Sequence, residues 1–341
     1  MKRIAVLSVL VVIALTAVAR MGTVRSATAA VGLLDALPDG TAVAVIDFQK
    51  ISGSSLWATI NAQDRLKSEI DKAQSEMANL GISLSDVHNV AVVFAGSSFN
   101  SPTVALAGGF EQTDLLRRLR ASGTVSLTSE KYKGFEIFTA KAIAASVRSK
   151  DGAGSAPART GKTSVASDES SFVFYDASTL VAGSPEAVRA SVEVKTGAKP
   201  GLTQNSQLSD ALAQNSSAAV RFAVSFTPAI TTGLKSADLP VDFSSIRMVF
   251  GTIDVGSGID LRATLRTDNA ENAKSLSEKL NALLAMAGGL LGSLGDAKMA
   301  PIAEALKTVT ITSADTDVKI NGNLPMDLLN SFLSSSPKKG Q

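Results

Sequence analysis

The chain contains no cysteine, which removes disulfide bonds, thiolate catalysis, cysteine-bound zinc and lipobox acylation together. It has a single histidine, His88, too few nitrogen ligands for a zinc site without thiolate help. Tryptophan and tyrosine together number three, and no Lys/Arg stripe with interleaved aromatics occurs, so the pattern of a nucleic-acid binder is missing. After residue 30 no apolar run is long enough to span a bilayer. The apolar residues, 45% of 341, are mostly Ala, Val and Leu, which suits a core of small aliphatic side chains.

Lys2 and Arg3 precede an uncharged apolar run, Ile4 to Ala19, closed by Arg20. Such a run is shorter than the roughly 20 residues of a membrane-crossing helix. Ala17-Val18-Ala19 and Ala27-Thr28-Ala29 have the small residues of a signal-peptide cleavage site, so residues 1–29 read as a secretory signal. The alternative is an uncleaved anchor at residues 4–19, the only membrane contact the sequence offers. Either reading places the globular part in the periplasm or outside the cell. The formal charge of +2 includes Lys2, Arg3, Arg20 and Arg25, and losing these four leaves −2.

Leu37-Pro38-Asp39-Gly40 is a turn signal, and Thr41 to Phe48 then reads as a buried strand. Leu56, Ile60, Leu66, Ile70, Ala73, Met77 and Leu80 make one stripe, predicting a single helix that stops at Gly81. Further strands are expected at Val90 to Ala95, Thr103 to Gly109 and Tyr132 to Ala140, with a short helix at Asp114 to Arg120. Phe172 to Tyr175 and Thr179 to Ala182 form a hairpin. Ser184-Pro185-Glu186 opens a helix with a hydroxyl cap, a first-turn proline and an acid at the positive dipole end. Arg148 to Ser170 is rich in small and charged residues without periodicity and reads as a disordered loop.

Ile246 to Val255 and Ile259 to Arg266 flank a Gly256-Ser257-Gly258 turn. Asp268 and Glu271 have capping-box spacing, followed by a helix striped with Leu276, Leu280, Leu283, Leu284, Ala287 and Leu291. Val309 to Thr312 and Asp317 to Ile320 are strands, Leu324-Pro325 begins a last helix through Phe332, and residues 336–341 are a polar tail. Asp86 to Phe94 aligns without a gap on Asp242 to Phe250, and each is followed by a strand and a helix. The expectation is an α+β fold of two related units, 38–214 and 215–335. Each is a mainly antiparallel sheet with helices on one face.

No motif brings firm chemistry. Ala156 to Thr163 loosely fits a nucleotide loop but lacks the strand before and the helix after that focus backbone N–H groups on phosphate. Ser85, Asp86 and His88 are adjacent rather than convergent, and no Gly-x-Ser-x-Gly elbow exists. Asp315 and Asp317 supply too few oxygens for calcium. No catalytic, cofactor or metal residue is therefore nominated, and scattered carboxylates leave a hydrolase as the enzymatic alternative. Trp57 reads as a core anchor. The most unusual segment is Leu283 to Leu294, where glycines inside a helical pattern each weaken it by about 1 kcal/mol relative to alanine. Either glycine permits close core packing, or the segment is a mobile apolar flap made of Leu283, Leu284, Met286, Gly288, Gly289, Leu290, Leu291 and Leu294.

The run Leu37 to Phe48, the stretch Thr179-Leu180-Val181-Ala182-Gly183-Ser184-Pro185 and the duplicated strand-helix plan resemble uncharacterised exported bacterial envelope proteins. That resemblance implies a bacterial envelope setting and brings no catalytic residues. The expected function is non-enzymatic binding of a partner protein or an apolar, lipid-like ligand, without a cofactor. A carboxylate hydrolase and a purely structural surface protein are the alternatives.

Overall fold

The Pro38-Asp39-Gly40 turn, held by Asp39 Oδ1 accepting from Gly40 N at 2.8 Å, delivers the chain into a buried strand. The structure is a computed structural model and describes residues 32–79, 82–96, 102–123, 125–142, 169–235, 243–293 and 300–334. Strand β1 (Ala42–Asp47) runs into helices α1 (Phe48–Ser52), α2 (Ser55–Asn61) and α3 (Asp64–Asn79). Then come β2 (Val87–Phe94), β3 (Pro102–Gly108), α4 (Gln112–Ala121), β4 (Val125–Tyr132), β5 (Phe135–Ala142), β6 (Glu169–Asp176) and β7 (Thr179–Gly183). Helices α5 (Pro185–Lys195) and α6 (Ser206–Ala213) lead to β8 (Val220–Ser225), α7 (Pro228–Lys235), β9 (Ile246–Val255) and β10 (Gly258–Thr267). The chain closes with α8 (Ala270–Ser293), α9 (Ala300–Lys307), β11 (Thr310–Ala314), β12 (Asp317–Pro325) and α10 (Met326–Ser334).

The fold is α+β, and among the described residues the strands join in one sheet of 12, ordered β11-β12-β10-β9-β8-β1-β2-β3-β7-β6-β5-β4. Every pairing between strands is antiparallel. The halves meet where β1 pairs β8, from Ala42↔Val224 to Ile46↔Val220. Counted outward from this seam, β1-β2-β3-β7-β6 and β8-β9-β10-β12-β11 follow the same order, and the aligned segments of the sequence end on β2 and β9.

Alternation along β1 sends Val43 and Val45 to a front face, where they meet Ala91, Val93, Val181, Val188 and Val192 of α5, and Leu208 and Leu212 of α6. Leu33, Ala36 and Leu37 complete this cluster from the N-terminal side, and Ala223, Met248 and Phe250 join it from the second half. On the back face Ile46, Val90, Val92, Val104 and Leu106 pack under Phe48, Ile51, Trp57, Ile70 and Met77 of α1–α3. In the second half Leu265 and Val318 pack under Ala273 and Leu276 of α8.

Helices thus cover both faces of the first half, and in the second half one face only beyond β8 and β9, whose front lies under α6, which departs from the expectation of one covered face per unit. The strands explain this: β3 is buried at every position, so neither of its faces tolerates water. On the front of the second half the side chains of Arg262, Thr310, Thr312, Lys319 and Asn321 are exposed and polar.

The single helix expected from Leu56 to Leu80 is two, α2 and α3. The six-residue step from Ile60 to Leu66 breaks the stripe, and Ala62 N closes α2 on Ala58 O and Thr59 O. The hairpin β4–β5 turns at Lys133 and Gly134, both at positive φ (47° and 89°). Strand β4 escapes a periodicity argument because it is a sheet edge exposed at Ser126, Thr128, Ser129 and Glu130. Helix α8 is capped not by Asp268 but by Asn269, whose Oδ1 accepts from Asn272 N at 2.8 Å. The signal at 1–29, residues 148–168 with the Ala156–Thr163 motif, Leu80, Gly81, Leu294 and the 336–341 tail lie outside the described residues.

Candidate functional site

Helix α8 changes character along its length. Its first turns are core: Ala273 and Leu276 are 0% and 3% exposed, and Ser277 is buried beside them. Asn281 Nδ2 then ties the helix to β11 by donating to Ile311 O at 3.1 Å. Beyond that point, from Ala282 to Leu291, no described side chain of the helix is buried. Leu283, Leu284, Ala287, Gly288 and Leu291 are half-buried, whereas Met286, Gly289 and Leu290 are exposed. The flap residues therefore divide between two sides of one helix. Met286 and Leu290, four apart, are 65% and 61% exposed.

Glycine does not serve close packing here. An added Cβ at Gly288 or Gly289 meets nothing within 4 Å. The helix beside it is equally shallow: α9 buries no residue, leaving Ile302 and Leu306 half-buried, and Leu328 and Leu329 of α10 are half-buried too. Sequence reasoning missed α9, although Pro301 in its first turn and the spacing of Ile302, Ala305 and Leu306 were a usable signal. Leu261 on β10 is the remaining large apolar residue exposed among those described, at 37%. It shares the back face with Leu265, so all three exposed apolar residues belong to the second half.

The polar candidates do not assemble. Ser85 Oγ contacts Ser83 Oγ at 2.6 Å and Asp86 Oδ1 at 3.3 Å, and His88 takes no part in that cluster. Asp317 is not a free strand-edge charge: it takes Arg266 Nε at 2.8 Å and Nη2 at 3.0 Å. No group of His, Asp and Glu among the described residues is placed to hold a metal ion. A groove of about 310 Å³ lies between α5 and β4–β6, lined by hydroxyls of Ser126, Thr128, Ser129 and Thr139. Its charges are already paired, Lys141 with Glu169 at 2.8 Å and Arg189 with Glu130 at 2.7 Å.

Each carboxylate whose pKa is displaced is displaced downward. Hydrogen bonds from Arg117 and Arg118 lower Asp114, those from Lys199 and Tyr132 lower Glu193, and that from Asn272 lowers Asp268. Burial pushes Asp176 upward, but hydrogen bonds from Ser178 and Thr179 outweigh it. A general acid needs the opposite displacement. No helix among the described residues is long and apolar enough to cross a membrane.

No family model matches the chain, and no curated protein matches it. Among solved structures it is similar to three crystal forms of TP0453. Forms I, III and IV give TM-scores of 0.47, 0.49 and 0.44 at 10%, 11% and 10% identity. Each comparison covers 89% of this chain and 96%, 98% and 96% of TP0453 respectively.

Proposed function

We propose that this is an exported, non-enzymatic protein that binds an apolar, lipid-like ligand under the outer helices of its second half. The observation that carries the proposal is the exposure of Met286 and Leu290 on a helix end where a Cβ at Gly288 or Gly289 would meet nothing within 4 Å. Large apolar residues side by side in water are costly unless something covers them. The half-buried Leu283, Leu291, Ile302, Leu306, Leu328 and Leu329 supply apolar lining, and the glycine-weakened helix end supplies a segment that moves aside. Under the same proposal the two halves are copies of one unit, a reading supported by their shared strand order.

The test is uptake of a fluorescent fatty-acid probe by the mature chain. Wild type should bind, and the double variant Met286→Ser with Leu290→Ser should bind at least tenfold more weakly. A wild type that takes up no probe overturns the ligand. Fractionation of the native cells tests export, and recovery of the full-length chain in the cytosol overturns that part.

A further inference from the structure

Four polar side chains lie buried where the two halves of the sheet meet. Asn89 is 1% exposed, and Asp47, Arg221 and Thr252 are each 8% exposed. The strand register sets them side by side on the front face: Asp47 stands opposite Asn89, and Arg221 stands between Val45 and Thr252. The last turn of α6 meets Arg221 at Leu212 O.

Asp47 and Arg221 have partners in the protein. Asp47 Oδ1 accepts from Lys50 N at 3.1 Å, capping α1, and its Oδ2 lies 3.6 Å from Lys50 Nζ. Arg221 Nη1 donates to Leu212 O at 3.2 Å, so a buried cation sits at the negative end of α6. Burial lowers the Arg221 pKa, and the charge of Asp47 opposes that shift. Asn89 is the exception. Neither its Oδ1 nor its Nδ2 has a hydrogen-bond partner in the protein. A primary amide offers two donors and an acceptor, and leaving all of them unpaired in a dry interior is costly enough to be rare in folded proteins.

The neighbours decide what occupies this place. An anion would meet the Asp47 carboxylate, and a cation would meet the Arg221 guanidinium. An apolar group would leave the amide as unpaired as before. A neutral molecule that both donates and accepts suits all three side chains, and in so closed an interior it has to be very small. We propose that Asn89, with Asp47 and Arg221, holds buried water at the β1–β8 seam. This water links a residue of β2 to charged groups on β1 and β8 and so fastens the first half of the sheet to the second. Internal waters of this kind usually make about three hydrogen bonds, which this set of side chains can supply.

Two substitutions in the full mature chain test the site. Asn89→Leu keeps the branched shape with the same number of heavy atoms and removes every polar atom, whereas Asn89→Ser keeps a donor and an acceptor and leaves room for a second water. If water is held, Asn89→Leu lowers Tm by about 3 °C or more, and Asn89→Ser lowers it less. If the site is dry, the order inverts: leucine relieves an unpaired amide and raises Tm, and serine leaves a void. Water-oxygen magnetic relaxation dispersion gives the second readout. Asn89→Leu should lose at least one long-lived internal water relative to wild type, and Asn89→Ser should lose none. A raised Tm in Asn89→Leu, or an unchanged count of long-lived waters in it, overturns the proposal. If Asn89→Leu fails to fold, a loss of long-lived water in Asn89→Ser overturns it instead.

Discussion

Two kinds of glycine in this chain respond to the same substitution with opposite signs. A Cβ at Gly251 would stand 2.1 Å from Arg262 O and 2.9 Å from Ala263 Cα, both backbone atoms of the neighbouring strand. Gly251→Ala should therefore lose about 1–3 kcal/mol, because the strand pair has to separate to admit a methyl group. Gly288→Ala and Gly289→Ala meet open space and should each add about 1 kcal/mol through helix propensity. Urea unfolding of the three variants reads both signs, and a destabilised Gly288→Ala would return that segment to the core. Tyr175 makes a pH-dependent prediction. Its hydroxyl lies 2.7 Å from Ser191 Oγ, which in turn donates to Ala36 O, and burial pushes its pKa up to about 12. With the folded pKa above the unfolded value, the associated stability is complete below about pH 10 and disappears as pH rises toward 12, a loss of about 2 kcal/mol. Tyr175→Phe should flatten that alkaline fall relative to wild type and remove its own share of the phenolate absorbance, leaving that of Tyr132, whose pKa its hydrogen bond to Glu193 also raises.

Helix α5 shows what a local signal can determine. Ser184 Oγ accepts from Ala187 N at 3.2 Å, Pro185 occupies the first turn, and Glu186 sits at the positive end, as the sequence announces. Ser184→Ala should cost about 1 kcal/mol in chemical denaturation, since one helix N–H loses its acceptor. No change would mean that Val188 and Val192, both 0% exposed, hold the helix without its cap. Helix α8 shows the limit of the same reasoning. Its stripe was legible, but its cap was assigned one residue early. Asp268 instead takes Asn272 Nδ2 of α8 at 2.7 Å and Arg247 Nη2 at 3.1 Å, the latter a contact set by β9.

At the scale of the molecule, the front cluster contains residues from both halves, including Val43 and Val45 from one and Ala223 and Phe250 from the other. Helix α6 belongs to the first half in sequence yet receives Arg221 of β8 at Leu212 O. A fragment of residues 38–214 should therefore leave Leu208, Leu212 and the edge of β1 uncovered. It should aggregate or bind a hydrophobic dye strongly, as size-exclusion chromatography and dye fluorescence would show. A monomeric fragment with native-like melting would demonstrate that the halves are independent.

Local chemistry was enough to place most strands, the α5 cap, the β6–β7 and β9–β10 turns and the antiparallel α+β class, because periodicity and turn residues act over a few neighbours; it ran the Tyr132 to Ala140 strand through the β4–β5 turn at Lys133 and Gly134. It also singled out the glycine-rich end of α8 by composition. Residues distant in sequence decided the rest. Which face of a strand needs a helix depends on what lies across the sheet, so the double covering of β1–β3 was invisible in an apolar run that reads the same either way. Asn89 looks like an ordinary polar residue at the start of a strand. Only the pairing of β2 with β1, and of β1 with β8, buries its amide beside Asp47 and Arg221.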